Sequence, residues 1–433
     1  MRTAFEFPIS WRARLLRGAA GAERALAGAL RRLRQGRRLA EPSELRRLRR
    51  QDAAGALAAA PGPGLDPVVV LPAVEWSYRF QRPQQLARAL ARHGHPTLYV
   101  EAFSRTRMQP SYYPAATPDG PLVLRLRLPG RPDPYRAVLD RQAGERAAET
   151  LVRGLRGPPA FILVQLPFWL ELAMALRRRL GTPVVYDRLD LHAGFAGVSE
   201  VITGAERELL SRCDLVTASS QDLLERSAAS SATPPILLRN AVALEDFPPA
   251  AAPGAAPPRV GYVGALEPWF DAEAVGALAA QRPRWIFELA GSVAAPEVGA
   301  LRRLANVRLL GEIAYRDVPG FLARLDALLI PFRDQPLTRA VDPVKLYEGL
   351  AVGLPIVARA LPETMRWPTP LVHLYRDAAA LPPALDAALA GDGPAVRAAR
   401  RAAVSGETWS ARALALVQAV TAQKGLPKLR NTT

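Results

Sequence analysis

Short, continuous apolar runs alternate with stretches of helical spacing along most of this chain. The first strong run is Val68-Val69-Val70-Leu71, and the pattern predicts strands at 68–73, 97–101, 122–127, 161–166, 183–186, 214–218 and 236–238, with helices near 83–92, 136–154, 169–179, 199–211 and 221–228. Runs that are apolar at consecutive positions, not at every second one, suit a parallel sheet covered on both faces. A stretch from Pro248 to Pro258, mostly proline and alanine and without apolar periodicity, interrupts the series as a linker. A second alternating series follows, with strands at 260–263, 286–290, 307–310, 327–330 and 355–358 and helices between them. Two successive doubly wound α/β domains are the simplest architecture, and their ligands sit at the carboxyl ends of the strands. The expected divisions are an extension at 1–64, domains at 65–250 and 258–404, and a terminal helix at 405–423.

The window from Pro158 to Leu176 approaches the length of a membrane span, but Glu171 and its prolines interrupt it. It reads as a buried strand, a turn at Pro167 and the start of a helix. A length of 433 residues with 49% hydrophobic and 22% charged content fits two soluble domains. The single cysteine, Cys213, closes no intramolecular disulfide, and the first residues lack the apolar core of a signal peptide, so a cytoplasmic setting is expected. Four scattered histidines (His93, His95, His192 and His373), with no CxxC, HExxH or Asp-x-Asp, support no metal site. The net charge of +17 is uneven: residues 1–60 hold 14 arginines against five acidic residues. That Leu-, Ala- and Arg-rich extension reads as partly helical, with membrane contact, a plain tail or nucleic-acid contact as its possible roles. No nucleic-acid recognition motif accompanies the charge. Contact with the anionic inner leaflet is favoured, which makes the protein peripheral to the cytoplasmic membrane.

The second series carries the more specific chemistry. Gly261-Tyr262-Val263-Gly264 puts glycine where a strand gives way to a loop, either for close approach of backbone to a ligand or for a tight turn. In Asp342-Pro343-Val344-Lys345-Leu346-Tyr347-Glu348, Asp342 suits an N-cap and Pro343 a first helical position. Lys345 in the first turn and Glu348 one turn later then present a cation and a carboxylate on one face. Such a face suits a molecule with phosphate at one end and hydroxyls at the other; the alternative is an i, i+3 ion pair on a solvated surface.

Gly261–Leu266 with Trp269-Phe270-Asp271, Asn306–Gly311 with Tyr315, Asp317 and Pro319, Asp326–Phe332, and Pro343–Glu348 together resemble the C-terminal half of bacterial "family 1" glycosyltransferases. The nearest groups build teichuronic acid, capsule and exopolysaccharide. The first half is also similar to them, through Trp76–Ala87, Tyr186-Asp187 with Asp190, His192 and Phe195, Glu206–Leu210 and Cys213–Ser220. The resemblance covers roughly residues 68–420, and Thr408-Trp409-Ser410 resembles the segment that crosses back to the first domain.

The resemblance implies a GT-B fold, in which two Rossmann-like domains face each other across a cleft. It also implies transfer from a nucleotide sugar, UDP- or GDP-linked, held mainly by the second domain, with no further cofactor, no obligatory metal, and retention of configuration. By position, Glu348 would hold the ribose, Lys345 the diphosphate and Gly264 the close approach, with Pro343 and Val344 beside them. Two departures bear on the sugar pocket and the phosphates. Ala340 stands where many relatives have an acidic residue, and Leu266-Glu267-Pro268 stands in place of an Arg and Lys pair, leaving Arg339 or Arg333 to assist Lys345. In the first domain, Asp190 and His192 either orient the acceptor hydroxyl or take its proton, or are a helix cap and a surface residue. Trp76 and Arg82 belong to the acceptor or phosphate side, Arg82 alternatively being a solvated helix-start residue. The expected function is sugar transfer to a glycan or lipid-linked acceptor; a catalytically silent GT-B scaffold and a sugar-nucleotide epimerase are the alternatives.

Overall fold

The computed structural model describes residues 65–103, 115–116, 120–128, 133–155, 157–249 and 257–424. The arginine-rich extension and most of the Pro/Ala stretch lie outside these residues. Within them are two sheets. The first has the order β3-β4-β2-β1-β5-β6-β7-β8: β1 is Val68–Leu71, β2 Thr97–Phe103, β3 Ala115–Ala116, β4 Leu122–Arg127, β5 Phe161–Val164, β6 Val184–Arg188, β7 Leu215–Ala218 and β8 Ile236–Leu237. All its pairings are parallel except β3 with β4. The second sheet is parallel, in the order β11-β10-β9-β12-β13-β14: β9 is Arg259–Val263, β10 Ile286–Ala290, β11 Val307–Gly311, β12 Ala327–Ile330, β13 Ile356–Arg359 and β14 His373–Tyr375.

The consecutive apolar runs account for the burial. Every residue of β1, β5, β6, β7 and β12 is buried, as strands sandwiched between helices require. Helix starts follow from local capping: the Asp140, Ser199, Ser220 and Asp271 side chains accept from the amides of Ala143, Ile202, Leu223 and Ala274. Asp140 explains why the helix expected from 136 begins at Arg141. The apolar window resolves into β5, a 3₁₀ turn at Pro167–Trp169 and the Leu170–Leu180 helix. Among the described residues no helix is long and apolar enough to cross a membrane.

Strand order fixes where the site can be. The chain reverses direction of growth at β1, which has β2 on one side and β5 on the other, and at β9, between β10 and β12. The loops after β1 and β9 therefore open at the two switch points, the places where parallel sheets bind ligands. The Arg82–Arg92 helix follows the first of these loops. The terminal Trp409–Lys424 helix returns to the first sheet, burying Trp409, Ala413, Leu416 and Val420 in one cluster with Leu86 and Leu90 of that helix and Val68 and Val70 of β1. The two crossings between the halves lie side by side: the Val242 amide donates to the Glu407 carbonyl (3.0 Å), the Trp409 amide to Val242 (3.3 Å), and Arg412 Nε to the Arg239 carbonyl (2.9 Å).

Candidate functional site

At the end of β9, Gly264 has φ +137°, and at the end of β10, Gly291 has φ +155°. The two loops are joined by Gly264 N donating to Ala290 O (2.9 Å) and Leu266 N to Ser292 O (3.0 Å). A side chain on Gly291 would place its Cβ 1.7 Å from the Gly264 carbonyl oxygen, so only glycine fits. Lys345 comes up to this pair from the other side, its Cε 3.0 Å from where a Cβ on Gly264 would lie.

Lys345 sits in the first turn of the Val344–Val352 helix, which Gly353 ends in a left-handed conformation. Its Nζ lies 5.0 Å from the Phe332 ring centroid and 5.3 Å from that of Tyr262. Among the described residues neither Lys345 nor Glu348 has a hydrogen-bond or ion-pair partner, so the two do not form the surface pair that their spacing also allows. Burial pushes the Lys345 amine down to about 8, against the Glu348 carboxylate, and pushes the Glu348 carboxyl up to about 7, against Lys345. Both keep a margin of contact with solvent, so a ligand can reach them.

The helix start differs from the expected one. Pro343 occupies the cap position and Asp342 lies outside it, with its Oδ2 accepting from Asn240 N and Tyr347 Oη, each at 2.8 Å. A buried backbone amide from the other half claims the carboxylate. Burial beside Glu363 pushes the Asp342 carboxyl up to about 6. Val344 packs against the apolar cluster of the first sheet.

In the first half, Asp190 follows β6. Burial pushes its carboxyl up to about 7, with the Arg82 guanidinium opposing and Asp187 adding to the shift. It has no hydrogen-bond partner among the described residues, and Ser199, not Asp190, caps the following helix. His192 is buried, not on the surface; among the described residues both ring nitrogens lack partners, and desolvation lowers its pKa, favouring the neutral ring. Asp190 feels Arg82, Asp187 and Glu206, and His192 feels Glu206 and Arg188, so the two share the field of one buried carboxylate.

Three expected site residues are otherwise engaged. Arg82 is buried, donating from Nε (2.9 Å) and Nη2 (2.6 Å) to both oxygens of Asp187 and from Nη1 to Asn240 Oδ1 (3.1 Å). It is neither solvated nor free for an acceptor. Arg339 is exposed and held by both oxygens of Asp334. Trp76 packs edge-on to Phe80 and Tyr99, with its amide on Glu101. Arg333 has a buried Nε without a partner among the described residues. Ala340 is fully buried with Leu191, Ala218, Leu223 and Leu337, and its carbonyl accepts from Ser220 Oγ at 2.6 Å. An acidic side chain there would enter an apolar contact between the halves.

Sequence reasoning passed over Arg79, Asp187 and Tyr315. Arg79 and Tyr315 join the halves: Gln85 Nε2 donates to Tyr315 Oη (2.7 Å), and Arg79 Nε to Glu312 Oε1 (2.6 Å). Arg79 and Tyr315 stand inside quoted motifs, but those motifs do not say which side chains cross between halves.

Comparison with known proteins bears on the family and the fold. Residues 81–239 match the "Glycosyl transferase 4-like domain" family and residues 257–395 match "Glycosyl transferases group 1". A putative teichuronic acid biosynthesis glycosyltransferase, TuaH of Bacillus subtilis (strain 168), is 33% identical over 119 residues, which are 27% of this chain and 30% of that protein. That match thus spans under a third of the relative's length. Among solved structures, sucrose-phosphate synthase from Thermosynechococcus elongatus superposes with a TM-score of 0.59 at 19% identity, over 83% of this chain and 97% of that one. Anabaena HepE in complex with UDP gives 0.57 at 14%, over 82% and 100%. An E. coli protein described as trehalose-6-phosphate, bound with UDP-2-fluoro glucose, gives 0.60 at 13%, over 83% and 99%.

Proposed function

Since the chain belongs to the group 1 glycosyltransferases and has their GT-B fold, we propose that it moves a sugar from a nucleoside diphosphate donor to a hydroxyl of a glycan or lipid-linked acceptor in the building of a cell-surface polysaccharide. The observation that carries the reading is the pair Lys345 and Glu348, a cation and a carboxylate one helical turn apart, without hydrogen-bond or ion-pair partners among the described residues, beside a glycine cradle at a switch point. Keeping both desolvated is costly unless a ligand supplies their partners. The UDP named in the HepE and E. coli structures and the teichuronic acid named for TuaH support the donor and product classes.

In the proposed reaction the bond between the sugar's anomeric carbon and the diphosphate breaks, and its electron pair leaves on the phosphate oxygen. The acceptor oxygen forms the new bond as its proton goes to a base, for which Asp190 is suited; His192, neutral and unpartnered, is suited to orient a sugar hydroxyl. Lys345 and the amides of its helix start meet the departing charge. We take the acceptor oxygen to enter on the face from which the diphosphate leaves, so that configuration is retained, and the transfer to need no bound cation.

The test is thermal shift against UDP, GDP, ADP, dTDP and CMP, with EDTA present, for the wild type and Glu348→Ala. One nucleoside diphosphate is expected to stabilise the wild type, by about 2.7 kcal/mol at a hundred times its Kd, and to lose most of that effect in the variant. The buried Ala340 favours a second reading, a silent binding protein of the same fold. No shift with any nucleotide would sink the transferase in its favour.

For residues 1–60, with their excess of arginine, we propose contact with an anionic membrane at about 1 kcal/mol per basic residue near the surface. Full-length protein is expected to co-sediment with phosphatidylserine vesicles, and a chain starting at residue 65 to stay in the supernatant; equal sedimentation would refute the contact.

A further inference from the structure

Among the described residues, Arg79 is the one residue other than glycine with φ in the left-handed region, at +39°. That conformation is unfavourable for a side chain with a Cβ, and it persists where the surroundings impose it, often at functional sites. The surroundings here are the turn after β1, whose Glu75 and Tyr78 carbonyls both accept from Gln84 Nε2, at 3.0 and 2.8 Å. The turn sends the Arg79 side chain out of the first half and into the second. Its guanidinium lies 5.0 Å from the Tyr78 ring centroid and donates to Glu312 Oε1 and Ser292 Oγ. Ser292 directly follows Gly291, one wall of the glycine cradle, and Lys345 lies against Gly264, the other wall. The Lys345 amine, held down first by burial, is lowered further by the nearby Arg79 charge.

Two cations from opposite halves thus bracket a backbone cradle that admits no side chain. The segment after β9, Leu266-Glu267-Pro268, contributes no positive charge. We propose that Arg79 is the second cation of the diphosphate site, supplied across the cleft by the first half, with Glu312 as its resting partner that a diphosphate displaces. The inference rests on the donor reading above, and it makes full charge compensation depend on the two halves being closed on each other. A guanidinium suits the task because it can give two donors to one phosphate.

Inorganic pyrophosphate, which carries no base or sugar, is the probe, titrated calorimetrically into the full chain. Arg79→Gly, which adopts φ +39° freely and so preserves the turn, is expected to bind about tenfold or more weakly, and Arg79→Lys to recover part of the loss. Glu312→Gln, which leaves Arg79 in place, is expected to bind about threefold more tightly because the competing carboxylate is gone. Wild-type affinity in Arg79→Gly would overturn this inference and leave the donor reading standing. Weaker binding in Glu312→Gln would overturn the exchange of partners. No binding by the wild type, with Arg79 and Lys345 both present, would overturn the inference and the diphosphate site together.

Discussion

Lys345→Ala is expected to lower kcat by about 10²–10³-fold, the cost of deleting one preorganised donor from a charge-stabilising site, without loss of stability. The amine lies near the Phe332 and Tyr262 rings and, among the described residues, has no hydrogen-bond or ion-pair partner, the Glu348 carboxylate offsetting only part of its desolvation. In the resting protein it is therefore a desolvated charge, and burial holds its pKa at about 8, below the 10.5 usual for lysine. The sign follows from linkage: the folded state binds this proton less tightly, so a penalty is fully present below about 8 and fades as pH rises towards 10.5. Lys345→Met should then be more stable than wild type at neutral pH, by on the order of 1–2 kcal/mol, with a gain that shrinks in alkali. Chemical denaturation across pH, beside single-turnover rates, checks both halves of the statement. Normal turnover in the alanine variant would remove Lys345 from the mechanism.

Asp190→Asn is expected to cut kcat by about 10²–10⁴-fold, the range of general-base contributions, and to change the shape of the pH profile. Burial holds the Asp190 carboxyl at about 7, so wild-type kcat should fall as pH drops through that value and the base is protonated. Glu348, also near 7, would act on the donor's KM, so kcat at saturating donor isolates Asp190. The asparagine variant should show no acid limb there. Should the limb survive unchanged, another group takes the proton.

Much of the architecture was legible because it depends on local chemistry. Val68–Leu71 and Phe161–Val164 are apolar at every position, which only a doubly covered strand tolerates, and Ser220 marks its helix start within three residues. Lys345 and Glu348 were legible for the same reason: four residues of one helix fix their common face. What escaped depends on partners distant in sequence. Arg82 meets Asp187, 105 residues away, and Asp342 meets Asn240, 102 away. Their charges read as available until the fold shows them occupied. Arg339 escaped at short range, since nothing in its helix spacing favours Asp334 over a phosphate. The turn at Arg79 was hidden because a left-handed arginine is imposed by its neighbours, not preferred by its sequence.

The paired crossings at Val242 and Glu407–Trp409 carry a mechanical consequence. One tether between two bodies behaves as a swivel, open to twisting as well as bending. Two tethers laced edge to edge behave as a door hinge and leave a single easy motion, swinging about the line that joins them. If the halves swing, a hinge of this kind returns Arg79 to the same latch plate at Ser292, so the alignment of the closed state would be set at its rear edge.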